Sequence, residues 1–192
     1  MAQEKIAETL RLWNNEPTDI ILEGGFALVD QDGFRANVAI VIGNGRGKLF
    51  WAKRVGQRAW QFPQGGIDSG ESAEQALYRE LYEEVGLESS DVKIVQQSKR
   101  WLRYHIPEKM QRKHSKPRCI GQKQRWFFLH LVGDQKKINF NATSNPEFDA
   151  WEWVNYWYPI NVVVPFKQNV YRKALAEFAP ANARFEKQRK RR

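Results

Sequence analysis

Hydrophobic residues recur along this chain in two spacings, one typical of strands and the other typical of helices. Apolar runs rich in β-branched or aromatic residues cover 36–42 (ANVAIVI) and 126–132 (WFFLHLV), and such short runs predict buried strands. Residues 48–54 alternate loosely after a glycine-rich turn, so together with 36–42 they predict a β-hairpin. Further short strands are expected at 92–95 and within 146–154.

Helical spacing is clearest over residues 72–85, which contain no Gly or Pro and are rich in Ala, Glu and Leu. One apolar stripe along this segment is formed by Leu77, Leu81 and Val85. The candidate residues for capping its two ends are Asp68, Ser69 and Ser72 at the start and Gly86 at the stop. Apolar residues within 60–64 are expected to wedge this helix against a sheet. A closing helix is predicted over 166–178.

Acidic residues of the first helix carry the candidate chemistry, because Glu80, Glu83 and Glu84 fall on one arc. Neighbouring carboxylates repel, and Mg²⁺, which prefers oxygen ligands and bridges carboxylates to substrate phosphates, would relieve that repulsion. Arg79 is placed to orient the Glu83 side chain. A solvated acidic helix face is the simpler interpretation of such a run taken alone. A metal site is favoured because the acids coincide with a glycine turn, with Glu71 and with the Gly86 stop.

The stretch from Gly65 to Leu87, GGIDSGESAEQALYRELYEEVGL, resembles the signature box of the Nudix hydrolases at every defining position. The defining positions include Gly65, Glu71, Arg79, Glu80, Glu83, Glu84 and Gly86. The resemblance implies an α+β fold in which a mixed β-sheet is sandwiched between α-helices. It also implies cleavage of a diphosphate linkage attached to a nucleoside, with a divalent metal held by the box glutamates.

Composition and charge limit the number of domains, the class of partner and the cellular compartment that are expected. The chain has 192 residues, 42% of them hydrophobic, which is enough for the core of one domain. A formal net charge of +9 favours a polyanionic partner such as nucleic acid. A single cysteine, Cys119, excludes an intrachain disulfide and suits a reducing cytosol. No apolar run approaches the roughly 20 residues that span a bilayer, and the N-terminus does not read as a signal peptide. A cytoplasmic protein with no membrane partner is expected.

A strongly basic segment covers residues 99–125, where ten Lys and Arg residues face a single acid, Glu108. Aromatic residues are interleaved with or adjacent to it: Trp101, Tyr104 and Trp126. Basic side chains neutralise phosphates and aromatic rings stack on unpaired bases, so this mixture favours contact with single-stranded RNA. The alternative is a solvated basic loop around a few core aromatics.

Several stretches outside the box narrow the resemblance to the bacterial RNA pyrophosphohydrolases: 32–35 (DGFR), 60–66 (WQFPQGG), 101–104 (WLRY), 121–124 (GQKQ), 146–148 (PEF) and 156–159 (YWYP). The resemblance implies that the RNA end is contacted by Arg35, Arg54, Tyr104, Val164, Phe166 and Lys167. Within that set, Phe166 and Arg54 would sandwich a base. It also implies a further metal-site or base carboxylate at Glu147, which is preferred to Asp149 and Glu152.

The two ends of the chain lie outside this resemblance. The predicted domain covers residues 30–178, preceded by an extension at 1–29 and followed by a basic tail at 179–192 of a kind that is usually disordered. Residues 1–27 are either upstream sequence, with a start at Leu28, or an accessory helix or partner-binding arm.

The resulting prediction is an enzyme that removes pyrophosphate from 5′-triphosphorylated RNA, leaving a 5′-monophosphate that promotes decay of the message. Its metal would be Mg²⁺ or another divalent ion such as Mn²⁺. One alternative is a hydrolase of the dinucleoside polyphosphates Ap4A and Ap5A that uses the same metal site. The other is a non-enzymatic RNA-binding regulator, which the intact glutamates disfavour. Which protein partners it has is not indicated by the residues.

Overall fold

The computed structural model describes residues 29–111 and 117–190, which are built around one mixed β-sheet. Its strands are β1 (Phe34–Gly43), β2 (Lys48–Arg54), β3 (Trp60–Gln61), β4 (Gln64–Gly66), β5 (Val92–Gln97), β6 (Leu102–His105), β7 (Gly121–Leu131) and β8 (Phe148–Asn155). The helices are α1 (Ala73–Val85), α2 (Tyr158–Val162) and α3 (Gln168–Lys190). Four short 3₁₀ turns connect them among the described residues, and one of these, Pro165–Lys167, leads into α3.

The centre of the sheet is formed by β1 and β7, which pair in parallel from Phe34↔Gly121 to Gly43↔His130. The predicted hairpin of β1 and β2 is present, but its paired register is limited to Gly43↔Leu49. Strand β2 instead pairs along its length with β8, and β1 also pairs with the short strand β4. The parallel pairing therefore joins the two most apolar runs of the chain, as their burial on both faces requires.

Helix α1 begins and ends where its sequence predicts. The Ser72 hydroxyl accepts a hydrogen bond from the Gln75 backbone N–H, and the Gln75 side chain accepts one from the Ser72 N–H. Gly86 ends the helix in the left-handed conformation, with φ of 72°, which a glycine adopts without steric cost. The apolar stripe of α1 is fully buried against one face of the sheet, beside Val38 and Ile40.

The opposite face of the sheet is covered by α3, through a cluster that includes Trp51, Trp126 and Tyr171. Helices on both faces of a mixed sheet confirm the predicted α+β architecture. Phe62 belongs to this second cluster, where its ring stacks on Tyr171 at 5.1 Å. The expectation that residues 60–64 wedge α1 against the sheet is therefore wrong for Phe62 and for Trp60, because β3 and the following turn direct their rings toward α3.

The closing helix differs from its prediction at both ends. It is preceded by the 3₁₀ turn at Pro165–Lys167 and continues beyond Phe178, through Pro180, to Lys190. Tertiary packing compensates for the hydrogen bond that a proline removes. Ala181 is buried just after the proline, and the Phe185 ring stacks on His130 at 4.9 Å.

The hypotheses about residues 1–27, including the alternative start at Leu28, lie outside the described residues, as do positions 112–116 of the basic segment and the last two residues. Within the described ranges, none of the helices has the length and apolar character that crossing a bilayer demands.

Candidate active site

Arg79 is the centre of the polar contacts around α1. Its guanidinium donates two hydrogen bonds of 2.9 Å to Glu71 and one of 2.7 Å to the Gly66 carbonyl. It donates two more to Glu80, at 2.7 Å, and to Glu83, at 3.2 Å. The predicted orientation of Glu83 by Arg79 is present, and the same side chain also joins the turn before the helix to the acids on it.

Gly65 lies where the Glu80 side chain crosses the turn. A Cβ atom added at this glycine would overlap the Glu80 carboxylate, and the same addition at Gly66 would overlap the guanidinium of Arg35. The first two glycines of the box are therefore needed for close approach of a charged side chain to the backbone.

Glu84 is the most buried acid of the box, with 3% of its surface exposed. One carboxylate oxygen accepts a 2.8 Å hydrogen bond from the Gln64 backbone N–H, and the other has no hydrogen-bond partner among the described residues. Burial raises the pKa of Glu84 well above its usual range, and the negative charges of Glu147 and Glu80 raise it further. Ionisation of Glu84 is thus unfavourable in this site, and a bound cation would offset that cost.

Glu147 lies in the loop before β8, distant in sequence from α1, and it reaches the same cluster. Burial raises the pKa of Glu80, and the negative charges of Glu83 and then of Glu147 raise it further. Its backbone carbonyl accepts a hydrogen bond from Val55, which fixes the loop before β8 against β2. Asp149 instead pairs with Lys53 at 3.1 Å. The structure therefore brings Glu147, and not Asp149, to the box acids.

The donor atoms of this cluster suit a divalent metal, because carboxylate oxygens are the ligands that such ions prefer. Within 29–111 and 117–190, however, no three acidic, His or Cys side chains already converge on one point. Arg79 pairs with Glu80 and Glu83, and Arg54 pairs with Glu147 at 3.5 Å, while the side chains of Glu83 and Glu147 are 43% and 49% exposed. The unpartnered Glu84 oxygen and the raised pKa values support the fit of a metal held by Glu80, Glu83, Glu84 and Glu147.

Cationic residues line the neighbouring part of the sheet. The Lys167 ammonium, almost fully buried, donates 3.0 Å hydrogen bonds to the side-chain oxygens of Gln61 and Gln64. Burial lowers the pKa of Lys167 to about 8, the charge of Arg54 lowers it as well, and Glu84 and Glu147 act in the opposite direction. Lys167 is thus within electrostatic reach of the carboxylate cluster.

The remaining predicted RNA contacts surround Lys167. The Tyr104 hydroxyl hydrogen-bonds to Gln122, and the Tyr104 ring lies 5.8 Å from that of Phe166. Val164 precedes the 3₁₀ turn that carries Phe166 and Lys167, and both Val164 and Phe166 are partly buried on the α3 side.

The two predicted arginines, Arg54 and Arg35, have different neighbours. Arg54 is 3.5 Å from the Glu147 carboxylate, so it pairs with a cluster acid in the absence of RNA. Arg35 lies against Gly66, and its Nε is buried without a hydrogen-bond partner among the described residues. Arg54 therefore lies beside the acidic cluster, and Arg35 lies beside the box turn.

The basic segment divides into buried and exposed parts. Trp126 is fully buried in the core, so the interpretation that it stacks on RNA is wrong. Trp101 is half-buried, with the Arg125 guanidinium 4.7 Å and the Lys123 ammonium 5.5 Å from its ring. Both of those cations are themselves buried. The alternative of a solvated basic loop around core aromatics is therefore correct for Trp126 as a core residue, but Lys123 and Arg125 are buried rather than solvated.

Sequence reasoning missed a group of buried or partly buried polar side chains on the strands around Lys167: Asn37, Gln61, Gln64, Gln122 and Gln124. Gln122 and Gln124 alternate along β7, so they share one face of a strand that is otherwise largely buried. Polar residues at alternate positions beside an apolar run were the available signal. Gln61 and Gln64 lie in the stretch 60–66, which resembles the bacterial RNA pyrophosphohydrolases but has no polar pattern of its own that marks the two glutamines.

Comparison with known proteins agrees with this geometry. The NUDIX domain family matches residues 33–178. A protein of Shewanella denitrificans named RNA pyrophosphohydrolase is 58% identical over 159 residues, which cover 83% of this chain and 92% of that protein. One of the same name from Haemophilus influenzae is 60% identical over 152 residues, which cover 79% of this chain and 78% of that protein.

Solved structures support the fold. The dihydroneopterin triphosphate pyrophosphohydrolase of E. coli superposes with a TM-score of 0.60 and 23% identity, covering 74% of this chain and 93% of that chain. An Ap4A hydrolase of C. elegans superposes with a TM-score of 0.54 and 17% identity, covering 76% and 98%. At such identities the likeness concerns the fold alone. On the family match and the close relatives, the chain belongs to the Nudix family.

Proposed function

We propose that this protein hydrolyses the 5′-triphosphate end of RNA to a 5′-monophosphate, with release of pyrophosphate or of two phosphates in steps. The observation that carries the proposal is the position of a buried acidic cluster, around Glu84, beside a buried cation, Lys167. An acidic cluster of this kind suits metal-assisted phosphate chemistry, and the cation suits a polyphosphate substrate. The relatives named RNA pyrophosphohydrolase support RNA as the molecule that carries the phosphates.

The carboxylates hold the reacting end. Nudix hydrolases generally need a divalent metal, and Mg²⁺ or Mn²⁺ would screen the phosphate charge and lower the pKa of the attacking water. Glu80, Glu83, Glu84 and Glu147 would hold it. Arg79, one of the predicted catalytic residues, would keep the Glu80 and Glu83 carboxylates oriented through its hydrogen bonds to both.

Water supplies the nucleophile. Its oxygen forms a new bond to phosphorus while the bond from that phosphorus to the bridging oxygen of the leaving phosphate breaks. We assign the proton of the water to the Glu147 carboxylate, because this side chain is half-exposed at the edge of the acidic cluster and can reach solvent.

The cationic residues beside the acidic cluster would bind RNA. Lys167, Arg35 and Arg54 carry positive charge, which suits the phosphates. Phe166, beside Val164 and Tyr104, presents an aromatic surface on which the first bases can stack, with Arg54 as the opposite plane. Such RNA is made in the cytoplasm, which is where we propose that the protein acts.

The test is incubation of purified protein with 5′-triphosphate RNA, labelled on the terminal phosphate, and Mg²⁺. We expect labelled pyrophosphate or phosphate to be released, and the RNA product to become a substrate for an exonuclease that requires a 5′-monophosphate. Asp149→Asn is the matched control for substitutions in the acidic cluster such as Glu84→Gln, since Asp149 is a carboxylate that pairs with Lys53 outside the cluster.

Competition separates the alternatives. The dinucleoside polyphosphate hydrolase would be favoured if unlabelled Ap4A displaced the RNA and if kcat/KM for Ap4A were higher than that for 5′-triphosphate RNA. Retained RNA binding without any phosphate release, in Mg²⁺ or in Mn²⁺, would favour the non-enzymatic regulator. Either result would overturn the proposal.

A further inference from the structure

Lys167 is held entirely by neutral side chains. Its ammonium is 3.0 Å from the amide oxygens of both Gln61 and Gln64, and Gln64 is in turn held by a 3.2 Å hydrogen bond from the Gln124 amide. The residue itself is only 7% exposed. A buried ammonium is ordinarily stabilised by a carboxylate in direct contact, and no such contact exists among the described residues.

The choice of amides has an electrostatic consequence. A carboxylate in the place of Gln61 would give the lysine a partner of opposite charge, and the pair would be neutral. An amide oxygen accepts the same hydrogen bond without adding charge, so the positive field of Lys167 persists. An ammonium has three N–H donors; two bind these amide oxygens, and no residue in the described part of the chain accepts a hydrogen bond from the third, which can serve an anion.

Gln61 carries an unusual cost for a residue with a merely structural role. It is buried, and its side-chain N–H₂ group has no hydrogen-bond partner among the described residues. Because an unpaired buried donor is unfavourable, an apolar side chain of similar size would suit the fold better. The oxygen of Gln61 is therefore the atom that accounts for its presence, and that oxygen contacts Lys167.

The three glutamines are fixed on different strands of one rigid sheet. Gln61 lies on β3, Gln64 on β4 and Gln124 on β7, where it is fully buried. The Gln64 backbone N–H also binds Glu84 at 2.8 Å. One residue thus joins the lysine to the acidic cluster, so the distance between the cation and the reacting centre is set by the sheet.

We propose that Gln61, Gln64 and Gln124 form a neutral clamp, which holds the Lys167 ammonium toward a substrate phosphate without neutralising it, and that Gln61 is a positioning residue for the reaction. This inference rests on the proposed function, because it takes the phosphate to be that of a 5′-triphosphate RNA end.

The test compares Gln61→Leu with Gln57→Leu, a matched change at an exposed glutamine in the turn between β2 and β3. We expect Gln61→Leu to lower kcat/KM for 5′-triphosphate RNA about tenfold, because Lys167 loses its fixed position. We expect its melting temperature to change little, because removal of the unpaired donor offsets the loss of one acceptor at the Lys167 ammonium. Gln57→Leu should leave both quantities unchanged. A loss of activity that merely followed a loss of stability would overturn the inference.

A double-mutant cycle gives the sharper readout. If Gln61 acts through Lys167, Gln61→Leu has no further effect on kcat/KM in a Lys167→Met background. Equal fold-losses in both backgrounds would overturn the clamp. Gln61→Glu, which keeps the acceptor oxygen but adds a negative charge, should mainly raise KM.

Failure of the inference and failure of the proposed function are distinguishable in this experiment. A wild-type protein that leaves triphosphate RNA intact defeats the proposed function. A wild-type protein that cleaves it while Gln61→Leu is equally active defeats the clamp alone.

Discussion

The acidic cluster and the cationic clamp lie side by side, yet they are built in opposite ways. Three of the four acids come from a single helix, α1, and one side chain of that helix, Arg79, orients two of them. The clamp gathers Lys167 from the turn before α3 and glutamines from three separate strands. One region is local in sequence and the other is assembled only by the fold.

The two regions share an electrostatic feature. Burial shifts the pKa of Glu84 upward and that of Lys167 downward, so each ionised group is disfavoured in the unliganded protein. A cation at the acids and an anionic phosphate at the lysine would relieve both. The unliganded site therefore holds unfavourable charge that its ligands compensate, which is typical of functional sites.

The largest expected effect is at the acidic cluster. We expect Glu84→Gln to lower turnover of 5′-triphosphate RNA by roughly 10³-fold or more, because it removes the most buried metal-binding charge. RNA binding should survive, since the cationic side is intact. Measurement of kcat beside an RNA-binding isotherm checks this, and near-normal turnover by a folded variant would refute the role of Glu84.

The same variant makes a stability prediction. The folded-state pKa of Glu84 is raised above its ordinary value of 4.5, so the folded state keeps a proton that the unfolded chain loses, and the stability of the metal-free fold falls as pH rises from about 4.5 to the folded pKa. Glu84→Gln should therefore melt at a higher temperature than the wild type at pH 7 in chelator. The difference should vanish below about pH 4. An unchanged difference across this range would contradict the pKa shift.

Gly65 tests how closely the acids must approach the turn. Gly65→Ala places a methyl group in the path of Glu80, and we expect turnover to fall by about 10²-fold as that carboxylate is displaced. Gly56→Ala is the control, since its Cβ would meet no atom within 4 Å. Its positive φ of 67° costs some stability, about 1–2 kcal/mol, but should leave kcat unchanged.

A smaller effect is expected on the cationic side. Lys167→Met removes a charge that we propose contacts a phosphate, so KM for RNA should rise about tenfold, with kcat less affected than by Glu84→Gln. Steady-state kinetics of the two variants, side by side, separate the regions. A larger kcat effect at Lys167 than at Glu84 would reverse the assigned division of labour.

The smallest effect is on pH dependence. With a pKa of about 8, Lys167 loses its proton as pH rises, and its contribution to kcat/KM should fall roughly fourfold between pH 7 and 8.5. Because that pKa is depressed on folding, the stability of the protein should rise over pH 8 to 10 as the burial cost disappears. A ratio of wild type to Lys167→Met that stays constant with pH would contradict the assignment.

Much of the acidic side was predictable from residues alone. The caps of α1, its apolar stripe and the arc of Glu80, Glu83 and Glu84 all follow from helical spacing, which the structure reproduces. Glu147 required resemblance to a known family, since neither spacing nor composition distinguishes it from Asp149. The structure separates the two, because Asp149 turns toward Lys53 on β2.

Other features depended on contacts between distant segments. The parallel pairing of β1 with β7, the packing of Phe62 against Tyr171, and the extension of α3 beyond Pro180 are each stabilised by partners far along the chain. A glutamine in a strand has no pattern that reveals which side chain it will meet. The clamp around Lys167 was therefore invisible before the strands were placed.

The sequence by itself determined the three helical acids of the site, Glu80, Glu83 and Glu84, because helical geometry places residues three and four apart on one surface whatever the rest of the chain does. Only the tertiary structure decided the cationic half, because the meeting of β3, β4, β7 and the turn before α3 depends on the packing of the two cores. Local periodicity depends only on residues that are close in sequence. The contact between Lys167 and Gln61, in contrast, results from many weak contacts across the whole sheet.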